Sequence, residues 1–371
     1  MYIAQIIDRI TPGGAEKLQV TFAQEAHSRG LRLMIICLAE SNGSPYPAQL
    51  TALGADIYYF PSRNALNLRR LWKIIKLLRR ERPDVLHTHL TYANIIGAIT
   101  GIFASVPVVT TIHTIRTETR HYHPVREKLE TWALKFVSRK VIVVGPAVAQ
   151  MYHHRLPGKL LDVIPNAVIS YPLLPVVERS LLRAEIMKEK DTDCLLVIAV
   201  GRLTPPKAFH DLLLAFSVLL SSATNVFLTI VGAGALYDQL NNQIVELGIS
   251  DRVRLLGLRD DVRRLMSASD IFVSSSRWEG LPLVILEAMD AGLPVVATNV
   301  GDVSWAIGEA GVIVPPGQPD ELASALGKLV QDPFLRSKLG EMGRIRIEEN
   351  FSSKVWFDEI MKLYAEVCKT S

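Results

Sequence analysis

Short apolar runs alternate with longer stretches of helical period, and the alternation occurs twice along the chain. Ile3 to Ile7, Leu33 to Leu38, Asp84 to His87, Val108 to Ile112 and Val141 to Val144 read as strands, most of them apolar enough to be buried on both faces. Parallel strands need a crossover of a dozen or more residues, and each gap here can hold a helix. The pattern predicts a doubly wound α/β domain with a parallel sheet. It lapses near Ile164-Pro165-Asn166, and the proline-bearing segment to about Lys190 reads as a linker with an approach helix. It restarts with Leu195 to Val200, Val226 to Val231, Val253 to Leu256, Ile271 to Ser274 and Pro294 to Ala297. Two such domains in tandem predict a cleft where the carboxyl ends of both sets of strands face one ligand.

A chain of 371 residues can supply two cores of ordinary size, and with 49% apolar and 21% charged residues it is too apolar to be disordered. The opening Met1-Tyr2-Ile3-Ala4-Gln5-Ile6-Ile7-Asp8 lacks the basic start of a secretory signal and reads as a first strand. Cys37, Cys194 and Cys368 are odd in number and widely spaced, so reduced thiols in a cytoplasmic protein are expected; no zinc-binding spacing exists. Val85 to Ile115 carries no Asp, Glu, Lys or Arg and is long enough to span a bilayer. Its His87, His89, Asn94, Pro107 and His113, with the β-branched run Val108-Val109-Thr110-Thr111-Ile112, suit a buried strand better than a lipid-facing helix.

Charge divides along the same boundary. Residues 1–175 hold 21 Lys and Arg against 11 Asp and Glu, whereas the remaining 196 hold 20 against 26. Much of the basic excess lies in 68–82, where a helical period puts Leu71, Ile74, Ile75 and Leu78 on one face and Arg69, Lys73, Lys76 and Arg80 opposite. Such a helix packs on the sheet with a solvated back, and with Trp72 on its flank it also suits a peripheral contact with an anionic membrane surface. Nucleic acid is not expected as a partner, because no reader motif or aromatic stacking platform occurs.

The stretch SRWEGLPLVILEAMDAGLPVVAT holds two carboxylates, Glu279 and Glu287, around a Gly-Leu-Pro turn. With a helix starting at about Pro282, a favoured first position, Glu279 lies in the loop before it and Glu287 between one and two turns inside. Helix amides attract phosphate and fixed carboxylates accept from hydroxyls, so a nucleotide sugar would use both. The spacing by itself equally fits an acid near a helix start and a solvent-facing glutamate. Pro12-Gly13-Gly14-Ala15-Glu16-Lys17 follows the first strand and lets a phosphate approach backbone amides. Arg202 and Lys207, in Gly201-Arg202-Leu203-Thr204-Pro205-Pro206-Lys207, are spaced to clamp a diphosphate, or are two surface cations. His113 ends a strand, where α/β sites gather. Gly232-Ala233-Gly234-Ala235-Leu236-Tyr237 lacks the third glycine of a dinucleotide fingerprint and reads as a tight turn.

In this order, a Gly-Gly turn, a strand-end histidine, an Arg/Lys pair and the two-carboxylate stretch resemble the retaining glycosyltransferases of the GT-B fold, in particular glycosyltransferase family 4, the group 1 glycosyl transferases. VGRLTPPKAFHDLLLAF, VRLLGLRDDV and SSSRWEGLPLVILEAMDAGLPVVAT carry the resemblance most specifically. It implies two Rossmann-like domains facing a cleft: an acceptor domain at 1–170, a nucleotide-sugar donor domain at 171–350, and a last helix within 351–371 returning to the first. Residue by residue, Arg202 and Lys207 match cations that hold the donor's diphosphate as it leaves. Glu279 matches the acid bonding hydroxyls of the transferred sugar, with the backbone of Gly280, Leu281, Pro282 and Leu283 forming the adjoining stretch. Glu287 matches the acid on the nucleotide ribose, the backbone at Leu258 and Arg259 the segment at the base, Gly13 and Gly14 the turn at the phosphates, and His113 the histidine near the reacting sugar.

The implied activity is transfer of a sugar, with retention, from a UDP- or GDP-sugar to a glycan or lipid-linked acceptor, in cell-surface polysaccharide or glycolipid biosynthesis. No metal and no cofactor are implied, since cations and a helix N-terminus supply the electrostatics. The cysteines point to the cytoplasm, and the basic helix within 68–82 to a peripheral position at the inner face of a membrane. A nucleotide-sugar epimerase of the same fold and a non-catalytic nucleotide-sugar-binding module are the alternatives. The chain departs from the family pattern at Ala208, where glycine is usual, at Asn166-Ala167 in place of Asn-Gly, and at Gly301-Asp302-Val303-Ser304-Trp305. Asp302 and Trp305 receive no role from the sequence.

Overall fold

The computed structural model of the chain describes residues 1–369 except 12, 42, 63, 65, 114–123 and 188–193. Pro12 of the glycine turn and the end of the linker segment, 188–190, therefore lie outside the described residues. The chain forms two compact units, Met1–Ile169 with Ser352–Ser371, and Ser170–Phe351.

Unit 1 runs through β1 (Tyr2–Ile7), α1 (Gly14–Ser28), β2 (Arg32–Cys37), α2 (Tyr46–Ala52), β3 (Asp56–Tyr59), α3 (Leu68–Glu81) and β4 (Val85–His89). It continues through α4 (Thr91–Ala104), β5 (Val108–Ile112), α5 (Pro124–Trp132) with a π-helical extension Ala133–Val137, β6 (Lys140–Val143), α6 (Pro146–Arg155) and β7 (Leu161–Val163). The strands pair in parallel in the order β3-β2-β1-β4-β5-β6-β7. Strand order reverses between β1 and β4, the switch point of a doubly wound sheet. Every residue of β1, β4 and β5 is buried, as their composition requires once helices cover both faces. The uncharged stretch from Val85 resolves into β4, α4 and β5, and among the described residues no helix is long and apolar enough to cross a membrane.

Unit 2 opens with α7 (Val176–Met187) and continues with β8 (Leu195–Val200), α8 (Phe209–Leu220), β9 (Val226–Val231), α9 (Tyr237–Glu246), β10 (Val253–Gly257) and α10 (Val262–Ala268). Then follow β11 (Ile271–Ser274), α11 (Leu283–Asp290), β12 (Val295–Thr298), α12 (Val303–Ile307), β13 (Gly311–Val314), α13 (Pro319–Gln331) and α14 (Pro333–Asn350). Its parallel sheet has the order β10-β9-β8-β11-β12-β13, with the reversal between β8 and β11. Phe209, Leu212, Phe216 and Leu219 of α8 pack with Leu322, Leu326 and Leu329 of α13 in a core against β8 and β9. The last helix, α15 (Ser353–Lys369), belongs to unit 1. Phe22 of α1 meets its Trp356, Phe357 and Tyr364 ring to ring, and Ser353 Oγ donates to Glu25 at 2.6 Å.

Three strands were not foreseen from sequence: β3, β7 and β13. Each is three or four residues long and lies at a sheet edge, where one flank needs no apolar cover. The basic helix α3 also differs from its expected division. Leu71, Ile74 and Leu78 are buried together with Leu77, while Ile75 is only half-buried. Arg70, assigned to neither face, turns inward. Asn67 caps the helix by accepting from the Arg70 amide, and Arg82 closes it in the left-handed conformation.

Candidate active site

In unit 2, the loops leaving β8 and β11 meet at the switch point. The β8 loop carries Gly201 to Thr204 and closes in a 3-10 turn, Pro205–Lys207, whose two prolines suit the start of a helical turn. The β11 loop carries Ser275 to Leu281. Lys207 Nζ lies 2.5 Å from Glu279 Oε1, and the same oxygen accepts from Ser276 Oγ at 2.7 Å. Both side chains are largely shielded, with 19% of Lys207 and 15% of Glu279 exposed, so solvent screens this pair less than an exposed one. The backbone is stitched alongside: Ser275 Oγ donates to Lys207 O at 2.9 Å, Arg277 N to Pro206 O at 2.8 Å, and Thr298 Oγ1 to Ser276 O at 2.5 Å. Ala208, where the family pattern has glycine, keeps the left-handed backbone at φ 47°, so the glycine's conformation survives with a modest strain.

Glycines let these loops touch. A Cβ on Gly232 would stand 1.9 Å from Gly201 O, and one on Gly234 would stand 2.3 Å from Leu203 O. The Gly-Ala-Gly sequence is thus a backbone contact surface. Its amides and carbonyls pair with the neighbouring loops: Leu203 N to Ala233 O at 3.0 Å, and Gly232 N to Gly257 O at 2.8 Å. Gly301, with φ 54°, does the same below the acid loop, where a Cβ would stand 2.2 Å from Glu279 O.

The remaining expected positions differ in character. Arg202 is exposed, and its guanidinium makes no hydrogen bond or ion pair among the described residues. Leu258 is exposed, whereas Arg259 is held bidentately by Asp261 at 2.8 and 2.7 Å and by Glu185 at 3.0 Å. Those hydrogen bonds raise the Arg259 pKa and hold the Asp261 carboxyl below its usual range. Pro282 is not the first helical residue: at φ −75° and ψ 122° it is the extended residue before α11, so the helix starts at Leu283 with no side-chain cap on its amides. Gly280 is half-buried, and Leu281, Pro282 and Leu283 are buried. Glu287 is 3% exposed, which removes the solvent-facing alternative for it.

Gly13, Gly14 and His113 lie in unit 1. Gly13 precedes α1 in an extended conformation, and a Cβ there would stand 2.4 Å from Glu16 Oε2, so the chain's own carboxylate already lies against the glycine turn. His113 follows β5 and joins a histidine ladder that sequence reading passed over. His87 is fixed at both nitrogens, Nδ1 to Tyr364 Oη at 2.5 Å and Nε2 to Thr111 Oγ1 at 2.7 Å. Its ring stacks on His89 with centroids 4.2 Å apart, and His89 Nδ1 meets His113 Nε2 at 3.0 Å. Burial pushes His87 down to about 3 and His89 well below its ordinary value. Burial also takes His113 to about 4, with Asn166 pulling in the opposite sense. The period-two spacing of His87 and His89 on one strand, pointing to one face, was the available signal.

Beside the switch point of unit 1, Asp8 accepts from Ala93 N at 2.6 Å, and burial pushes its carboxyl up to about 6. Asp8, Arg9, Thr11, Ser62, Arg70 and Tyr92, with Leu38 and Ala39, line a cavity of mixed polarity of about 450 Å³. Tyr92 also borders an apolar cavity of about 190 Å³ lined by Leu66, Ile95, Ile96, Val125, Arg126 and Leu129. Trp305, without a role from sequence, stands edge-on to Phe351 at 5.6 Å, and Asp302 is buried, its amide donating to Gly280 O at 3.0 Å. Among the described residues no group of three or more His, Cys, Asp or Glu could hold a metal ion.

Comparison with known proteins agrees with this architecture. The family described as Glycosyl transferases group 1 matches residues 183–346, and Glycosyltransferase Family 4 matches residues 12–169. The UDP-Gal:alpha-D-GlcNAc-diphosphoundecaprenol alpha-1,3-galactosyltransferase of Escherichia coli is 28% identical over 316 residues, 81% of this chain and 80% of that one. The lipopolysaccharide core biosynthesis glycosyltransferase LpsE of Rhizobium meliloti is 36% identical over 175 residues, 47% of this chain and 50% of its own length. Among solved structures, HepE of Anabaena in complex with UDP-glucose superposes with a TM-score of 0.86 at 22% identity, covering 99% of this chain and 100% of that one. With two parallel-sheet Rossmann-like units and both family matches, the chain belongs to the family 4 glycosyltransferases, retaining enzymes of the GT-B fold.

Proposed function

We propose that this glycosyltransferase moves a sugar from a nucleoside-diphosphate donor to a glycan or lipid-linked acceptor in the building of a cell-surface polysaccharide or glycolipid. The observation that carries the donor assignment is the shielded Lys207–Glu279 pair at the switch point of unit 2. A cation and a carboxylate in contact present adjacent sites for a phosphate and for sugar hydroxyls. Lys207 and the unengaged Arg202 hold the diphosphate, Glu279 the transferred sugar, Glu287 the ribose, and the backbone at Leu258 and Arg259 the base. Gly280 to Leu283 lead into the uncapped α11 amides on the phosphate side. Gly13, Gly14 and His113 serve the same reaction from unit 1. As the bond from the anomeric carbon to the diphosphate breaks, Arg202 and Lys207 stabilise the charge on the leaving oxygen, and the acceptor hydroxyl bonds to that carbon on the same face, passing its proton to the departing phosphate oxygen.

The acceptor reading is supported by the E. coli relative, whose name specifies a diphosphoundecaprenol acceptor, and by the LpsE relative's lipopolysaccharide core. It is also supported by α3, which exposes Leu68 and Trp72 beside Arg69, Lys73, Lys76 and Arg80. The same helix supports a peripheral position at the inner face of a membrane. The test is transfer from a panel of UDP-, GDP- and ADP-sugars with and without lipid-linked acceptors. Release of an altered sugar without acceptor would mark an epimerase. Tight donor binding without turnover on any acceptor would mark a binding module.

A further inference from the structure

Two cavities of unit 1 meet at one tyrosine. The larger, of about 450 Å³, is lined by residues that leave β1 and β2 at their carboxyl ends, the edge of an α/β sheet where ligands bind. The smaller, of about 190 Å³, lies between α4 and α5. Tyr92, in the first turn of α4, borders both. Asp8 ties that turn to the sheet by accepting from the Ala93 amide at 2.6 Å. Arg126 Nη1 donates to Tyr92 Oη at 3.4 Å, with the guanidinium 5.4 Å from the ring centroid. Leu90, just before the turn, is held at φ 76°, a conformation costly for a residue with a Cβ, and such strain gathers at ligand sites.

Charge and shape restrict what fits. Among the described residues lining the two cavities, the charged ones are Arg9, Arg70, Arg126 and Asp8, three guanidinium groups against one carboxylate. Arg70 is 6% exposed, so its charge acts with little screening on whatever enters. Guanidinium forks match phosphate oxygens. The smaller cavity is walled mainly by Leu66, Ile95, Ile96, Val125 and Leu129. It is somewhat larger than an engineered apolar cavity of roughly 150 Å³ that holds benzene, so it has room for a run of about six carbons.

We infer that the joined cavities form the acceptor site and take a lipid phosphate or diphosphate, with the anion against Arg9 and Arg70 and the first carbons of the chain beyond Tyr92 in the apolar cavity. This rests on the reading of the acceptor as lipid-linked. A neutral glycan would leave the guanidinium groups unmatched, and a free sugar phosphate would leave the apolar cavity unfilled. Asp8, on the side of the anion away from the chain, accepts from hydroxyls of the acceptor sugar.

Calorimetry of the full chain with farnesyl diphosphate, inorganic diphosphate and farnesol separates head from chain. Farnesyl diphosphate is expected to bind about tenfold or more tighter than either of the others. Arg9 and Val125 are exposed, so Arg9→Glu and Val125→Glu should keep the wild-type Tm while each weakens farnesyl diphosphate by about tenfold. Lys207→Ala, at the donor position of unit 2, should change that affinity within about twofold. Wild-type affinity in both glutamate variants would overturn the assignment, as would farnesyl diphosphate binding no tighter than inorganic diphosphate. Equal losses in Lys207→Ala and Arg9→Glu would move the ligand to the donor position and overturn it too. Soluble dihexanoyl phosphatidylglycerol offers the same chemistry from a membrane lipid: its failure to displace farnesyl diphosphate is expected, and displacement at equal concentration would make this a headgroup site rather than an acceptor site. If binding follows the expected pattern while no sugar reaches any acceptor, the transfer reading fails and the lipid phosphate site stands.

Discussion

Lys207 and Glu279 neutralise one another, so a diphosphate that engages Lys207 competes with a carboxylate for the same ammonium. The two glutamates should then separate experimentally. Glu287→Gln is expected to weaken UDP or GDP binding by about tenfold in calorimetry, whereas Glu279→Gln lowers kcat by about tenfold with nucleotide Kd within about twofold. Equal losses of nucleotide affinity would refute that division. Gly301→Ala should be costly for a different reason: its φ is 54° and the added Cβ meets the carbonyls of Glu279 and Gly280, backbone that has nowhere to retreat. Destabilisation of about 2 kcal/mol or more is expected, read as a lowered Tm; an unchanged Tm would mean the acid loop relaxes freely. Lys207 and Glu279, which the structure brings into contact, were marked in the sequence by spacing and order. Ser276, Thr298 and Gly301 were not, since hydroxyls and glycines are common: Ser276 Oγ donates to Glu279 within its own loop, and only the approach of β12 and the following turn brings Thr298 and Gly301 against that loop.

At the scale of elements, the sheet of unit 1 stores a response to acid. His87 at about 3 and His113 at about 4, with His89 also lowered, lie below the ordinary value of 6.5, so between these limits the unfolded chain binds more protons than the folded one. Their contribution is fully present above about pH 6.5 and is lost as pH falls toward 4, at up to about 1.4 kcal/mol per pH unit for each histidine. Asp8 acts oppositely: raised from 3.8 to about 6, it adds stability as pH falls through 6. Three histidines outweigh one carboxyl, so the urea midpoint should drop between pH 7 and pH 5, and His113→Asn should flatten that slope. A midpoint independent of pH over this range would contradict the burial of the ladder. The central strands β1, β4, β5 and β8 were readable because burial on both faces leaves an uninterrupted apolar run. The edges β3, β7 and β13 were not, because a half-covered strand of three or four residues has no such run. Helical period places Arg70 on the face of Ile74 and Leu77, and it escaped because a guanidinium is not expected there; its first-turn position lets the long side chain reach the cavity that it lines with Asp8.

At the scale of the molecule, the asymmetry of charge gives the first 175 residues, nearly all in unit 1, a net excess of cations, and α3 displays part of it beside Leu68 and Trp72. Vesicles containing anionic lipid should retain the full chain at low salt and release much of it at about 0.5 M salt, where screening shortens electrostatic reach to a few ångströms. Trp72→Ser with Lys73→Glu should abolish retention without altering donor binding. Retention that ignores both salt and lipid charge would remove the membrane reading of this helix. The double α/β organisation was visible in the sequence as a repeated alternation. The membership of α15 in unit 1 had no local signal, because an amphipathic helix does not record in its own residues which sheet it will cover.

That membership makes unit 1 discontinuous: Ser352 bridges to Val168, and Phe22 and His87 wait for side chains from 353–369. Synthesis runs in one direction, so the contiguous unit 2 has all its residues before α15 leaves the ribosome. The unit begun first is completed last. Until then the chain holds an open apolar face and an unroofed row of imidazoles, which makes the nascent unit 1, rather than unit 2, the stage most exposed to misfolding.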